Sequence, residues 1–175
     1  MGMWMLQCIH REIGETVSFA EMARMAAASD YPAYVDAADQ RFLAPASMLD
    51  EVKAVLREAG APEPRQLGDV LRAVTVGLAV CYRDAIQEMG HVVGKTFTSI
   101  NIVGGGSQNQ VLNQLTADMT GLPVYAGPTE GTALGNLAAQ LIQLGEIRDI
   151  AAFRAMLFEG CQIETYRPSR GDGRG

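Results

Sequence analysis

The sequence predicts an α/β domain that is rich in helix and has too few strands to complete a sheet of its own. Residues Ile100 to Val103 form a short β-branched run, as a buried strand requires, and Gly104, Gly105 and Gly106 follow at once. Consecutive glycines allow a sharp turn and leave room for another group against the backbone. A helix from about Gln108 to Thr120 comes next, with Val111, Leu112, Leu115 and Met119 at helical spacing. Gly121 ends it as a left-handed cap, Pro123 prevents continuation, and Val124 to Ala126 read as a second strand. Strand, glycine turn, helix and strand make a βαβ crossover whose helix aims free N–H groups at whatever lies over the glycines. That geometry suits a nucleotide.

The first helix is expected from about Gly2 to Glu12, with a strongly apolar start that has no polar lead-in, which suggests a piece of something longer. The second begins at Ser18, where Ser18 and Glu21 have capping-box spacing, and runs to Ala28. From Ser29 to Ala44 the chain is irregular, and Tyr31, Tyr34, Phe42 and Leu43 are expected to hold it against the body. Pro45 suits the first turn of a helix that carries Met48, Leu49, Val52, Val55 and Leu56 up to Gly60. After a proline-containing connector, the longest helix spans about Leu67 to Met89 and closes at Gly90. Val70, Leu71, Val74, Leu78, Cys81, Tyr82 and Ile86 form its core stripe. Beyond the second strand, Glu130 and Thr132 are expected to cap a small-residue helix reaching Leu144. A last helix runs from about Asp149 to Phe158. The domain is placed at residues 1–168 and a disordered tail at 169–175.

Composition narrows the function. A chain of 175 residues holds one domain, or one and part of another. Its net charge of −6 argues against nucleic acid, which needs a basic partner. No apolar run reaches the roughly 18 residues needed to span a bilayer, and the first residues do not show the basic, then apolar, then small-residue pattern expected of a cleavable leader. Cys8, Cys81 and Cys161 are far apart and read as reduced, mostly buried thiols of a cytoplasmic protein. His10 and His91 lack partners at metal-ligand spacing and read as surface residues. Trp4, Met3 and Met5 read as core or interface packing, and Asp84 with Glu88 as a solvated helix face.

Separated motifs then point one way. Ile-Val-Gly-Gly-Gly-Ser-Gln-Asn from Ile102 and Pro-Val-Tyr-Ala-Gly-Pro-Thr-Glu-Gly-Thr-Ala-Leu-Gly-Asn from Pro123 are similar to the C-terminal domain of the FGGY carbohydrate kinases. The opening Met-Gly-Met-Trp-Met-Leu-Gln, Asp39-Gln-Arg-Phe and Leu78-Ala-Val-Cys-Tyr-Arg resemble further segments of that family in the same order.

The resemblance implies an actin-like ATPase (ribonuclease H-like) fold, with ATP and sugar in a cleft between two domains. It implies transfer of the ATP γ-phosphoryl group to a hydroxyl of L-rhamnulose, with Mg²⁺ on the phosphates. The nucleotide would meet Gly104 and Gly105 at the turn, Asn109 at the adenine edge and Gln7 on the first helix. Gly131 stands where the family usually has alanine, a difference expected to matter little to packing. The catalytic aspartate, the sugar-binding domain and a Ser-Gly-Thr phosphate segment would lie upstream of Met1, so the chain alone is expected to be inactive. Two other readings stay open. One is a Rossmann-type dinucleotide-binding module, although its third glycine is replaced by Asn109. The other is a non-catalytic interaction module derived from a kinase.

Overall fold

The computed structural model describes residues 3–169. Helix α1 spans Trp4–Glu12 and α2 spans Phe19–Ala28. The Ser18 side chain accepts from the Glu21 amide at 3.2 Å, while the Glu21 carboxylate turns to Arg24, so only one arm of the expected capping box forms. The following segment is extended and ends in a 3₁₀ turn at Gln40–Phe42. Tyr31, Val35, Ala37 and Phe42 are buried along it, whereas Tyr34 and Leu43 are exposed, contrary to expectation. Only one side of an extended segment can face the body.

Helix α3 spans Met48–Glu58 and is capped by Ser47 rather than opened by Pro45, which precedes the cap. The Glu12 carboxylate also accepts from Ser47 Oγ at 3.0 Å and from the Leu49 amide at 3.1 Å. The end of α1 is thereby fixed to the start of α3. Helix α4 spans Leu67–Val93, four residues beyond the expected end. Gly94, at φ 63°, is the left-handed cap, and Gly90 is an interior residue of the helix. Val70, Leu71, Ala73, Val74, Leu78 and Ala79 are buried, but Cys81, Tyr82 and Ile86 are only partly covered, so the core stripe fades after Ala79.

Strand β1 (Ile100–Ile102) pairs in parallel with β2 (Val124–Ala126), joined by α5 (Gln110–Thr120). This is the expected crossover, and Gly121 caps α5 at φ 70°. Helix α6 spans Gly131–Gln143 and α7 spans Ile150–Gly160, the latter capped by Asp149 through the Ala152 amide at 2.8 Å. A third strand, β3 (Glu164–Tyr166), was not expected; it pairs antiparallel with β2, giving sheet order β1-β2-β3. Ser169 is anchored through its amide to Asp118 Oδ1 at 2.7 Å, and the rest of the expected tail, 170–175, lies outside the described residues, as does Gly2.

The main core joins α1, α2, the extended segment, α3 and α4, with Leu112 of α5 at its margin. The three cysteines are free and partly exposed rather than buried. His10 stacks on Phe19 with ring centroids 4.3 Å apart, while His91 is exposed. Met5 is buried in the core and Trp4 is exposed beneath the Arg11 guanidinium. Among the described residues no helix is long and apolar enough to cross a membrane.

Candidate nucleotide site

The site begins where β1 ends. Gly104 has φ 81° and ψ −169°, a backbone state that side chains resist. Its amide donates to Pro128 O at 3.1 Å, and the Gly127 amide donates to Ile102 O at 2.8 Å, so the loops after β1 and β2 are tied together. Gly105 to Gln108 then form a 3₁₀ turn. Ser107 closes it twice on one acceptor: its Oγ and its amide donate to Gly104 O at 2.7 and 3.0 Å. A Cβ added at Gly105 would meet no atom of the described residues within 4 Å, so on their side the outer edge of the turn is open to a ligand. At Gly106 the nearest atom to such a Cβ is Met3 Cγ at 3.7 Å, which brings the start of α1 against the turn. Gln7 is exposed one helical turn beyond Met3, on the same side of α1.

Asn109 has a role that its position conceals in sequence. It is the N-cap of α5, and its Oδ1 accepts from the Leu112 amide at 3.0 Å. The acceptor half of the side chain is therefore engaged in starting the helix. Helix α5 starts at Gln110, two residues later than expected, because Gly105 to Gln108 take the 3₁₀ turn. The Glu130 side chain makes no cap bond to α6, although Glu130 occupies the N-cap position. A Cβ at Gly131 would lie 3.0 Å from Val103 Cβ, so glycine fits where alanine would crowd, against expectation.

A cleft of about 610 Å³ borders the same turn, between Ser107, Gln108 and Gln110 on one wall and Thr129, Gln162 and Glu164 on others. None of Gln7, Gly104, Gly105 and Asn109 lines it. Sequence reasoning missed the residues that brace this region. Asn113 is fully buried, and its Nδ2 donates to Ser107 O at 2.8 Å. Asn113 lies off the stripe formed by Val111, Leu112, Leu115 and Met119, so the sequence carried no signal for its burial. The Tyr166 hydroxyl donates to the Glu164 carboxylate. Burial and that partner raise the phenol to about 12, with the nearby Asn113 amide opposing the shift. Among the described residues no three His, Cys, Asp or Glu side chains gather as a metal site.

A parallel βαβ unit with a glycine turn opening onto a helix N-terminus defines an α/β protein whose turn can receive an anionic ligand. Among the described residues the sheet has one parallel pair and an antiparallel β3, without the further parallel strands of a Rossmann fold. Residues 1–144 match the model of the FGGY family of carbohydrate kinases, C-terminal domain, and the chain belongs to that family. It is similar to the rhamnulokinase of Halalkalibacterium halodurans, 39% identical over 166 residues, covering 95% of this chain and 36% of that protein. The rhamnulokinase of Ligilactobacillus salivarius is 34% identical over 172 residues, covering 98% and 36%. That of Oceanobacillus iheyensis is 37% identical over 166 residues, covering 95% and 35%. The chain thus spans little more than a third of the length of the relatives it matches.

Proposed function

We propose that this chain is the nucleotide-binding part of an ATP-dependent kinase that phosphorylates L-rhamnulose, built on an actin-like ATPase fold over residues 1–168. The name shared by its relatives supports the sugar, and the glycine turn supports the nucleotide. The sugar pocket and the carboxylate that accepts the hydroxyl proton belong to the remainder of the relatives' length, so phosphoryl transfer needs both parts. ATP approaches the backbone at Gly104 and Gly105, with Gln7 alongside from α1. Asn109 offers its Nδ2 amide to the adenine edge while Oδ1 holds the helix. Mg²⁺ would arrive with the nucleotide and would supply neutralisation of phosphate charge. Cytoplasmic sugar metabolism is the matching setting.

The open space at Gly105 carries this reading, because it makes the turn testable without damaging it. Gly105→Ala adds a methyl group that touches no atom of the described residues, so the melting temperature stays within about 2 °C of the parent. MgATP affinity measured by calorimetry falls about tenfold, equivalent to roughly 1.4 kcal/mol. NAD produces no heat with either protein. Unchanged ATP binding in Gly105→Ala would remove the nucleotide from the turn, and binding of NAD by the parent would reopen the dinucleotide alternative.

A further inference from the structure

We propose that Asn113 is a positioning residue whose buried side-chain amide fixes the Gly105–Gln108 turn in the shape that receives a nucleotide. The inference rests on the nucleotide reading of that turn. Its starting point is an apparent waste: Asn113 is fully buried, yet its Oδ1 has no hydrogen-bond partner among the described residues. A buried acceptor left unpaired is destabilising, and an apolar side chain of similar size would avoid the penalty. Two other buried polar side chains of the helices stay within their own helix. Thr75 and Thr116 donate to carbonyls one turn back in their own helices, each at 2.7 Å. Asn113 instead reaches out of α5 to the carbonyl of Ser107.

That carbonyl is a sensitive point of the turn. Gly105 and Gly106 have no side chains with which to hold a shape, and Ser107 ties the turn back to Gly104 through its amide and hydroxyl. Its own carbonyl faces the helix, where Asn113 Nδ2 supplies the donor. The nearby Tyr166 hydroxyl is directed to Glu164 and does not satisfy Oδ1. Asn113 therefore gives up local stability to clamp a glycine-rich turn onto the rigid start of α5. It acts through Ser107 and need not touch ligand.

The test uses the whole chain with Asn113→Leu, which removes both the donor and the orphaned acceptor, and Asn113→Ser, which is too short to reach Ser107. Melting temperature, MgATP affinity and amide exchange at residues 105–108 are measured for each. The expected result for Asn113→Leu is a melting temperature equal to or above the parent, about tenfold weaker MgATP binding, and faster exchange confined to 105–108. Asn113→Ser shows the same faster exchange and weaker binding at a lower melting temperature. Parent-like affinity and exchange in Asn113→Leu overturn the proposal, as does a lower melting temperature with parent-like affinity. Failure of both variants to fold overturns it too, because Asn113 would then hold the domain rather than the turn. If the parent itself does not bind MgATP, the nucleotide reading fails, and exchange at 105–108 still decides whether Asn113 fixes the turn.

Discussion

At the scale of single residues, polar groups under partial burial carry specific tasks. Asp69 accepts from Ser29 Oγ at 2.7 Å, from the Arg65 amide at 2.9 Å and from the Gln66 amide at 3.3 Å. It thus starts α4 and pins the end of α2 to it. The Ser29 hydrogen bond, ahead of the backbone amides from Arg65 and Gln66, holds its carboxyl below the usual range despite opposing burial. A carboxylate with a lowered pKa in the folded state adds stability above its unfolded pKa of about 3.9. That stability is lost as pH falls through the folded value. Asp69→Asn is therefore expected to lower stability at pH 7 by about 1–3 kcal/mol. Denaturant titrations should show the gap between parent and variant constant above about pH 5 and shrinking below pH 4. A gap independent of pH would show that the charge contributes nothing.

Secondary elements meet through close backbone approaches that small residues permit. A Cβ at Gly77 would fall 2.1 Å from Val35 O, so α4 and the extended segment before Gln40 touch backbone to backbone. The Val35 amide also reaches Ala73 O at 3.4 Å. Gly77→Ala cannot be absorbed by a side-chain rotation and must push the segment away, at about 1–3 kcal/mol or more. Chemical denaturation should show this loss, while Gly60→Asn, at a left-handed position with open space around it, should stay within about 1 kcal/mol of the parent. Equal effects would mean that the segment is loosely held. Nothing in the local pattern around Gly77 announces this contact. The crossover from Ile100 to Ala126 was legible because strand, glycine turn, helix and cap each leave a local signature. Strand β3 was not, since Glu164, Thr165 and Tyr166 become a strand only by pairing with β2. Gly94 in place of Gly90 as the cap of α4 reflects the same limit: either glycine could end the helix, and the chain carries on for one more turn. At the site, the turn and both its flanks were legible, but not that the Asn109 oxygen also caps α5, because a cap bond is settled only by where the helix begins.

Across the whole molecule, burial is uneven. The fully buried bulky side chains Phe42, Met5, Ile9, Met48, Leu56, Leu71 and Leu78 all belong to the body formed by α1 to α4 and the extended segment. Helix α6 buries only Ala138, and α7 only Phe153. Leu137, Leu144, Ile150, Met156 and Phe158 remain exposed on this pair, although Phe158 packs edge-on against Tyr125 with centroids 5.9 Å apart. Local opening free energy follows the buried contacts that must be broken, so the two regions should not open together. Amides of α4 between Val70 and Leu78 are expected to exchange only through global unfolding. Those of α6 and α7 should exchange at least about a hundredfold faster, a difference of roughly 2.7 kcal/mol in opening free energy. Native-state hydrogen exchange with increasing denaturant reads this directly. Denaturant should accelerate α4 steeply and leave α6 almost unaffected, because local opening exposes little new surface. Merging of the two sets at low denaturant would instead mean that the sheet transmits the stability of the core to its C-terminal helices. The exposed apolar face of α6 and α7 would then be a surface feature of a uniformly stable domain, not the margin of a less stable one.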